Sequence, residues 1–253
     1  MATLGVIGTG LIGGSIGLAA RSRGWTVLGH DADASAATLA LSAGALDEIA
    51  ERDAIYRGCA IIAIAAPVQA TLDEVRALSG RALGSEQLVL DTASVKGAIA
   101  LAGAGVSAFV PTHPMAGSER SGAVAARADL FSERTWCVVP TADDERTRRA
   151  CAFVAQIGAR PLTISAEEHD RTVALTSHLP QLFAFAFARR VAERSSRGEE
   201  IEALCGPAGK ELLRLGRSSP ALWEEIFRAN APALGAELDW MYRELFEGPR
   251  SKH

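Results

Sequence analysis

Gly5-Val6-Ile7-Gly8-Thr9-Gly10-Leu11-Ile12-Gly13-Gly14-Ser15 decides the fold of this chain. An apolar run feeds a Gly-x-Gly-x-x-Gly turn, which opens directly into a second apolar segment with helical spacing over residues 11–20. Strand, turn and helix in this order form a dinucleotide-binding unit. Gly8 makes the tight turn, Gly10 lets a pyrophosphate approach the backbone, and Gly13 lets the helix pack closely on the strand. The pyrophosphate would sit on the N–H groups around Thr9, Gly10, Leu11 and Ile12, where the helix dipole is positive. A second strand over 25–30 ends at Asp31, near the spacing of about 20 residues at which an acid meets the adenosine ribose. Its carboxylate accepts ribose hydroxyls and repels a 2′-phosphate, so the cofactor expected is NAD and not NADP. Asp31 could instead cap the following helix together with Asp33.

Outward from that turn, strand-like and helix-like segments alternate. A helix over 34–41 and a turn at Gly44 lead to the continuous apolar strand 59–64, of the kind that parallel sheets bury on both faces. Pro67 starts a helix, and strand 87–91 follows. A helix from Lys96, a strand over 107–110, a strand over 135–139, a helix over 143–157 and a strand over 160–164 complete the series. This is the pattern of a doubly wound α/β sheet. Its ligands lie beyond the carboxyl ends of the strands, where Asp31, Pro67, the Asp91-Thr92-Ala93-Ser94 loop and Thr112-His113-Pro114 all fall. After Ile164 the strand signal stops. Ser165-Ala166-Glu167-Glu168 is a capping box that opens a helical domain. The expected boundaries are therefore 1–164 for the nucleotide-binding domain and 165–253 for an all-helical one. Phe183, Phe185 and Phe187 lie on a helix apolar on nearly every side, which predicts that it is buried and implies a subunit interface.

The 253 residues allow one large or two ordinary domains, and 48% hydrophobic with 22% charged residues is a globular profile. With 26 Lys+Arg against 30 Asp+Glu, the net charge of −4 gives no electrostatic case for nucleic acid or an anionic membrane. No apolar run approaches the roughly 20 residues of a membrane span. The apolar N-terminus lacks the basic region of a secretion signal. Cys59, Cys137, Cys151 and Cys205 form no Cys-x-x-Cys pair and have no His at ligand spacing, so buried thiols, no metal and a cytoplasmic location are expected.

Five blocks in order carry a resemblance: Gly8 to Ser15, Asp91-Thr92-Ala93-Ser94-Val95-Lys96, His113-Pro114-Met115-Ala116-Gly117-Ser118-Glu119, Ser177-His178-Leu179-Pro180, and Arg214 with Ser218-Ser219-Pro220-Ala221-Leu222-Trp223. Together the chain resembles the prephenate/arogenate dehydrogenase family of tyrosine biosynthesis over nearly its whole length. The resemblance implies NAD-dependent oxidative decarboxylation of a cyclohexadienol. A hydride leaves C4, the C4 hydroxyl loses a proton, and the ring carboxylate departs as carbon dioxide. It implies that His113 is the catalytic histidine, a suitable proton acceptor near neutral pH. It likewise implies that Ser94 hydrogen-bonds the same hydroxyl and that Arg214 grips a substrate carboxylate as a fork. Lys210, Ser177 and Trp223 match family positions around the substrate. Ser118 and Glu119 match residues that reach the other subunit's site, which implies a homodimer. Arg217 has no family counterpart and reads as surface; His30, His169 and His178 read first as structural or exposed. At Gln181 the chain departs from the pattern. Many prephenate-specific members have a second histidine there, which puts keto-acid selectivity in question. A β-hydroxyacid-type dehydrogenase would be expected to use a lysine on the first long helix of the helical domain, and 165–190 contains none. A non-catalytic NAD-sensing protein would have no use for His113, Ser94 and Arg214.

Overall fold

The computed structural model describes residues 2–118 and 120–247. The chain forms two compact units that meet at His169/Asp170, a few residues beyond the boundary expected after Ile164.

The first unit is built on β1 (Thr3–Ile7), α1 (Leu11–Arg21), β2 (Thr26–His30), α2 (Ala34–Ser42), β3 (Glu48–Ile49), α3 (Arg52–Gly58), β4 (Ile61–Ile64), α4 (Val68–Ala77), β5 (Leu88–Asp91), α5 (Gly97–Ala102) and β6 (Phe109–Val110). The six strands pair in parallel in the order β3-β2-β1-β4-β5-β6. The chain winds outward one way through β2 and β3 and the other way through β5 and β6. The switch point falls between β1 and β4, where such sheets open a crevice beyond their carboxyl ends. Leu4, Val6, Ile62, Ile64, Leu88 and Leu90 are fully buried in this sheet, as helices on both faces require of parallel strands.

Two expectations need correction. The stretch between Gly44 and Cys59, expected as a turn, holds β3 and α3. Both residues of β3 are exposed, and α3 buries only Ile55 and Tyr56, too little apolar surface to leave a period in the sequence. The later strands also do not extend the doubly wound sheet. β7 (Thr112–Pro114), β8 (Thr135–Val138) and β9 (Arg160–Thr163) form a second sheet in the order β7-β8-β9, with α6 (Asp144–Gln156) between β8 and β9. β7 runs antiparallel to β8, and β8 parallel to β9. Pro111 separates β6 from β7; with no N–H to give to a ladder, it ends the first pairing and lets the chain change sheets.

α7 (Ala166–Val173) begins the helical part, and Ser165 Oγ accepts from Glu168 N at 3.1 Å, the expected cap. One π-helical turn, Ala174–His178, then interrupts the long helix before α8 (Leu179–Ser195). α9 (Pro207–Leu215), α10 (Pro220–Ala229) and α11 (Ala231–Phe246) follow. α9 buries no residue, α10 only Ile226 and α11 only Leu234. α8, expected to be buried on nearly every side, buries Leu179, Gln181, Ala184 and Val191 but leaves Phe183 42% exposed. One copy of the unit is too small to enclose it. No helix among the described residues is long and apolar enough to cross a membrane. All four cysteines are free, but only Cys59 and Cys137 are buried; Cys151 and Cys205, expected to be buried too, are half-exposed because α6 and the loop before α9 lie at the surface.

Candidate active site

Backbone geometry makes the nucleotide turn. Gly8 sits at φ +90°, a left-handed conformation that L side chains avoid, and a Cβ there would overlap the Ala65 carbonyl. A Cβ at Gly13 would overlap the Gly8 carbonyl oxygen, so α1 lies directly on the turn. At Gly10, by contrast, a Cβ would meet nothing within 4 Å. That open space beside the N-terminus of α1, which has no side-chain cap, fits a diphosphate. Thr9 is fully buried; Leu11 and Ile12 are half-buried on the first helical turn. Asp31 Oδ2 accepts from Thr9 N at 2.6 Å and from Thr9 Oγ1 at 3.0 Å, while Oδ1 accepts from Asp33 N at 3.0 Å. The helix cap is Asp33, whose carboxylate accepts from Ser35 N at 2.8 Å. Asp31 therefore does not cap α2; it ties the nucleotide turn to the end of β2. Pro67 is exposed at the head of α4. His30, expected to be exposed, is half-buried, with Nδ1 at 3.2 Å from the Ala50 carbonyl oxygen.

A buried ionic clamp lies two strands away. Asp91 and Lys96 are both fully buried and form an ion pair. Lys96 Nζ also donates to the Thr112 carbonyl at 2.7 Å, and Asp91 Oδ1 accepts from Thr112 N at 2.9 Å. Thr112 Oγ1 donates to the Asp91 carbonyl, and Ala93 N donates to Asp91 Oδ2 at 2.9 Å. Burial pushes the Asp91 carboxyl upward, opposed by the Lys96 ammonium and by the Thr112 and Ala93 N–H groups. Three groups of Thr112 are thus fixed to the carboxyl end of β5. The next residue, His113, is half-buried on β7, and Ser94 is half-buried on the loop between Asp91 and Lys96. Opposite His113 on β8 stands Cys137, whose thiol burial pushes up. His113 Nδ1 lies 2.9 Å from Nε2 of His169, a residue 1% exposed. Neither the clamp nor His169 stood out in the sequence as part of the site. The Asp-x-x-Ser-x-Lys spacing was the available signal for the first; the second depends on the tertiary path of α7. Ser118, exposed, accepts from Arg120 N at 3.1 Å. Glu119 lies outside the described residues.

The second unit holds the remaining residues. His178, buried at the end of the π-helical turn, has Nδ1 3.1 Å from Asn230 Nδ2, which also donates to the Asp170 carbonyl at 2.8 Å. The Trp223 ring stands edge-on to the His178 ring at 6.0 Å. Ser177 is half-buried beside it. Gln181, 3% exposed, donates from Nε2 to the Leu215 carbonyl at 2.9 Å. On α9, Lys210 and Arg214 are exposed and share a face by their spacing of four. Arg214 holds Glu211 in a fork, Nε to Oε2 at 3.0 Å and Nη2 to Oε1 at 2.6 Å, and this keeps the Glu211 carboxyl below its usual range. A carboxylate of the same chain thus already occupies the fork. Arg217 is exposed, as expected.

Two family models match the chain. The one described as prephenate dehydrogenase, nucleotide-binding domain, covers residues 16–163, and the one described as prephenate dehydrogenase, dimerization domain, covers 165–247. The chain is 34% identical to the probable prephenate dehydrogenase NovF of Streptomyces niveus, over 97% of this chain and 67% of that one. It is 33% identical to the cyclohexadienyl dehydrogenase of Zymomonas mobilis, over 96% and 85%. In fold it matches the prephenate dehydrogenase of A. aeolicus solved in complex with hydroxyphenyl propionate and NAD+, with a TM-score of 0.87 at 24% identity over 98% and 89% of the two chains. Matched in both of its parts, the chain belongs to the prephenate dehydrogenase family and is an NAD-dependent oxidoreductase acting in prephenate dehydrogenation.

Proposed function

We propose that His113 and Ser94 are the catalytic residues of this oxidative decarboxylation, that Arg214 binds a substrate carboxylate, and that arogenate is accepted beside prephenate. The observation that carries the reading is the pinning of Thr112 to the carboxyl end of β5. It sets His113 at the edge of the parallel sheet where β1 also delivers the nucleotide turn. Asp31 and Pro67 would help hold NAD on that turn, and NAD would supply the hydride acceptor. His113 takes the proton of the C4 hydroxyl as carbon dioxide leaves, and Ser94 orients that hydroxyl. Cys137 does not compete as a base, because burial keeps its thiol protonated. Arg214 exchanges Glu211 for the substrate carboxylate at little cost, since an exposed ion pair contributes little to stability. Lys210, Ser118, Glu119, Ser177 and Trp223 complete the substrate surroundings.

Acceptance of arogenate follows from Gln181. Donation of one Nε2 hydrogen to the Leu215 carbonyl leaves Gln181 with Oε1 as an acceptor and a second N–H as a donor, so it can pair with either the ammonium or the keto group. An acceptor suits the ammonium of arogenate, whereas a cationic histidine at this place would oppose it. The protein acts as a homodimer through its helical unit, where Trp240, Tyr242, Leu245 and Phe246 stand exposed on α11. Four free cysteines fit a reducing, cytoplasmic setting. The test is NADH formation with prephenate and arogenate side by side, each with NAD and with NADP. The expected result is a kcat/KM for arogenate within about tenfold of that for prephenate, shifted toward prephenate in Gln181→His. NADP should be a poor substitute, because Asp31 repels its 2′-phosphate. A thousandfold rejection of arogenate would remove Gln181 as the selectivity residue. Equal use of both cofactors would remove Asp31 as the discriminator.

A further inference from the structure

The contact between His113 and His169 assigns a role that the family likeness left open for the second histidine. With Nδ1 of one ring 2.9 Å from Nε2 of the other, one nitrogen donates and the other accepts. If His113 receives a proton on Nε2, that nitrogen must begin unprotonated, and a neutral imidazole then carries its hydrogen on Nδ1. His113 Nδ1–H therefore donates, and His169 Nε2 accepts. His169 in turn must be neutral, with its hydrogen on Nδ1.

We propose that His169 is the positioning residue of the proton acceptor: it fixes the His113 ring and tautomer, and it supports the positive charge that His113 gains when the substrate hydroxyl is deprotonated. The inference rests on the reading of His113 as the base. The rings meet at 73° with centroids 5.1 Å apart, so the hydrogen bond sets the plane of His113 and not only its place. His169 is itself held: 1% exposed, on the first turn of α7, with its N–H bonded to the Ser165 carbonyl at 2.9 Å. The part matches that of the third member of hydrolase triads, with an imidazole in place of a carboxylate. A proton on His169 Nε2 would reverse the hydrogen bond, move the His113 hydrogen onto Nε2 and so block the base. A proton added to either ring therefore gives the same singly charged, inactive pair. Cys137 on β8 is held as a thiol, and Asp91 and Lys96 at the end of β5 are paired with each other. On α7 the charged sequence neighbours of His169 are Glu167, Glu168, Asp170 and Arg171.

The experiment compares kcat and kcat/KM for prephenate against pH in the parent, His169→Phe, His169→Gln and His113→Asn, with thermal melting and NAD affinity of each. Phe keeps the ring volume without an acceptor; Gln offers a carbonyl acceptor that does not titrate. The expected result is a kcat about 10- to 100-fold lower in His169→Phe with KM for prephenate and NAD affinity held, less than the roughly 10²- to 10⁴-fold loss for the base itself in His113→Asn. His169→Gln, whose side-chain carbonyl can accept from His113 Nδ1–H, should recover much of the activity lost in His169→Phe. A kcat in His169→Phe within twofold of the parent overturns the proposal, as does a Gln variant no more active than Phe. If His113→Asn retains kcat, the reading of His113 fails first. If His113→Asn is impaired while His169→Phe is not, only the positioning role fails.

Discussion

The nucleotide turn and the helical unit are finished to different degrees. At the turn every element is supplied by one chain: Gly8 and Gly13 are shaped by neighbouring backbone, Asp31 is bonded to Thr9 and Asp33, and β1, which feeds the turn, is buried from Leu4 to Ile7. In the helical unit α9 buries nothing, α10 and α11 bury one residue each, and Arg214 points its fork at a carboxylate three residues away. A dinucleotide is bound largely through backbone N–H groups and one acid, so a single folded sheet provides its whole site. A substrate with two carboxylates is bound through long charged side chains, which stay at the surface until a ligand or a second subunit covers them.

The sharpest way to break this contrast is to damage the interior of the first unit. Lys96→Met leaves the Asp91 carboxylate buried without its ammonium, and loss of one partner of a buried pair costs about 3–5 kcal/mol. Denaturant unfolding should show that loss. A change below about 1 kcal/mol would mean that the clamp does not secure the sheet. Next in size is Arg214→Gln, which tests the proposed charge-assisted contact to a substrate carboxylate. KM for prephenate should rise roughly 10- to 100-fold, the equivalent of about 1.5–3 kcal/mol, with NAD affinity unchanged. If KM stays level for every cyclohexadienyl acid, Arg214 has only its surface pair with Glu211 to explain it.

The smallest effect is expected at Asp143, the exposed N-cap of α6, whose carboxyl is held below its ordinary value of 3.8 first by the Arg146 N–H. A lowered folded-state pKa contributes stability that is present above the unfolded value and lost as pH falls through the folded one. Asp143→Asn should therefore lower Tm slightly at pH 7, and the difference from the parent should shrink below about pH 3.8. A difference constant down to pH 2 would show that the cap works through neutral hydrogen bonding alone.

The sequence by itself determined what depends on local pattern. Gly8-x-Gly10-x-x-Gly13 with Asp31 is legible because turn, helix start and acid are fixed by spacing along the chain. The alternation of strands and helices, the capping box at Ser165 and the change to all-helical structure are legible for the same reason. Only the tertiary structure decided which strands share a sheet, because β7 and β8 pair across an intervening loop and no period records the partner. It also decided that Asp33 caps α2 while Asp31 holds the turn, a choice between neighbours that geometry alone resolves. The meeting of His113 with His169, far apart in sequence, was equally out of reach. Side-chain contacts of that range are set by how whole elements pack, and packing leaves no local spacing in the sequence to read.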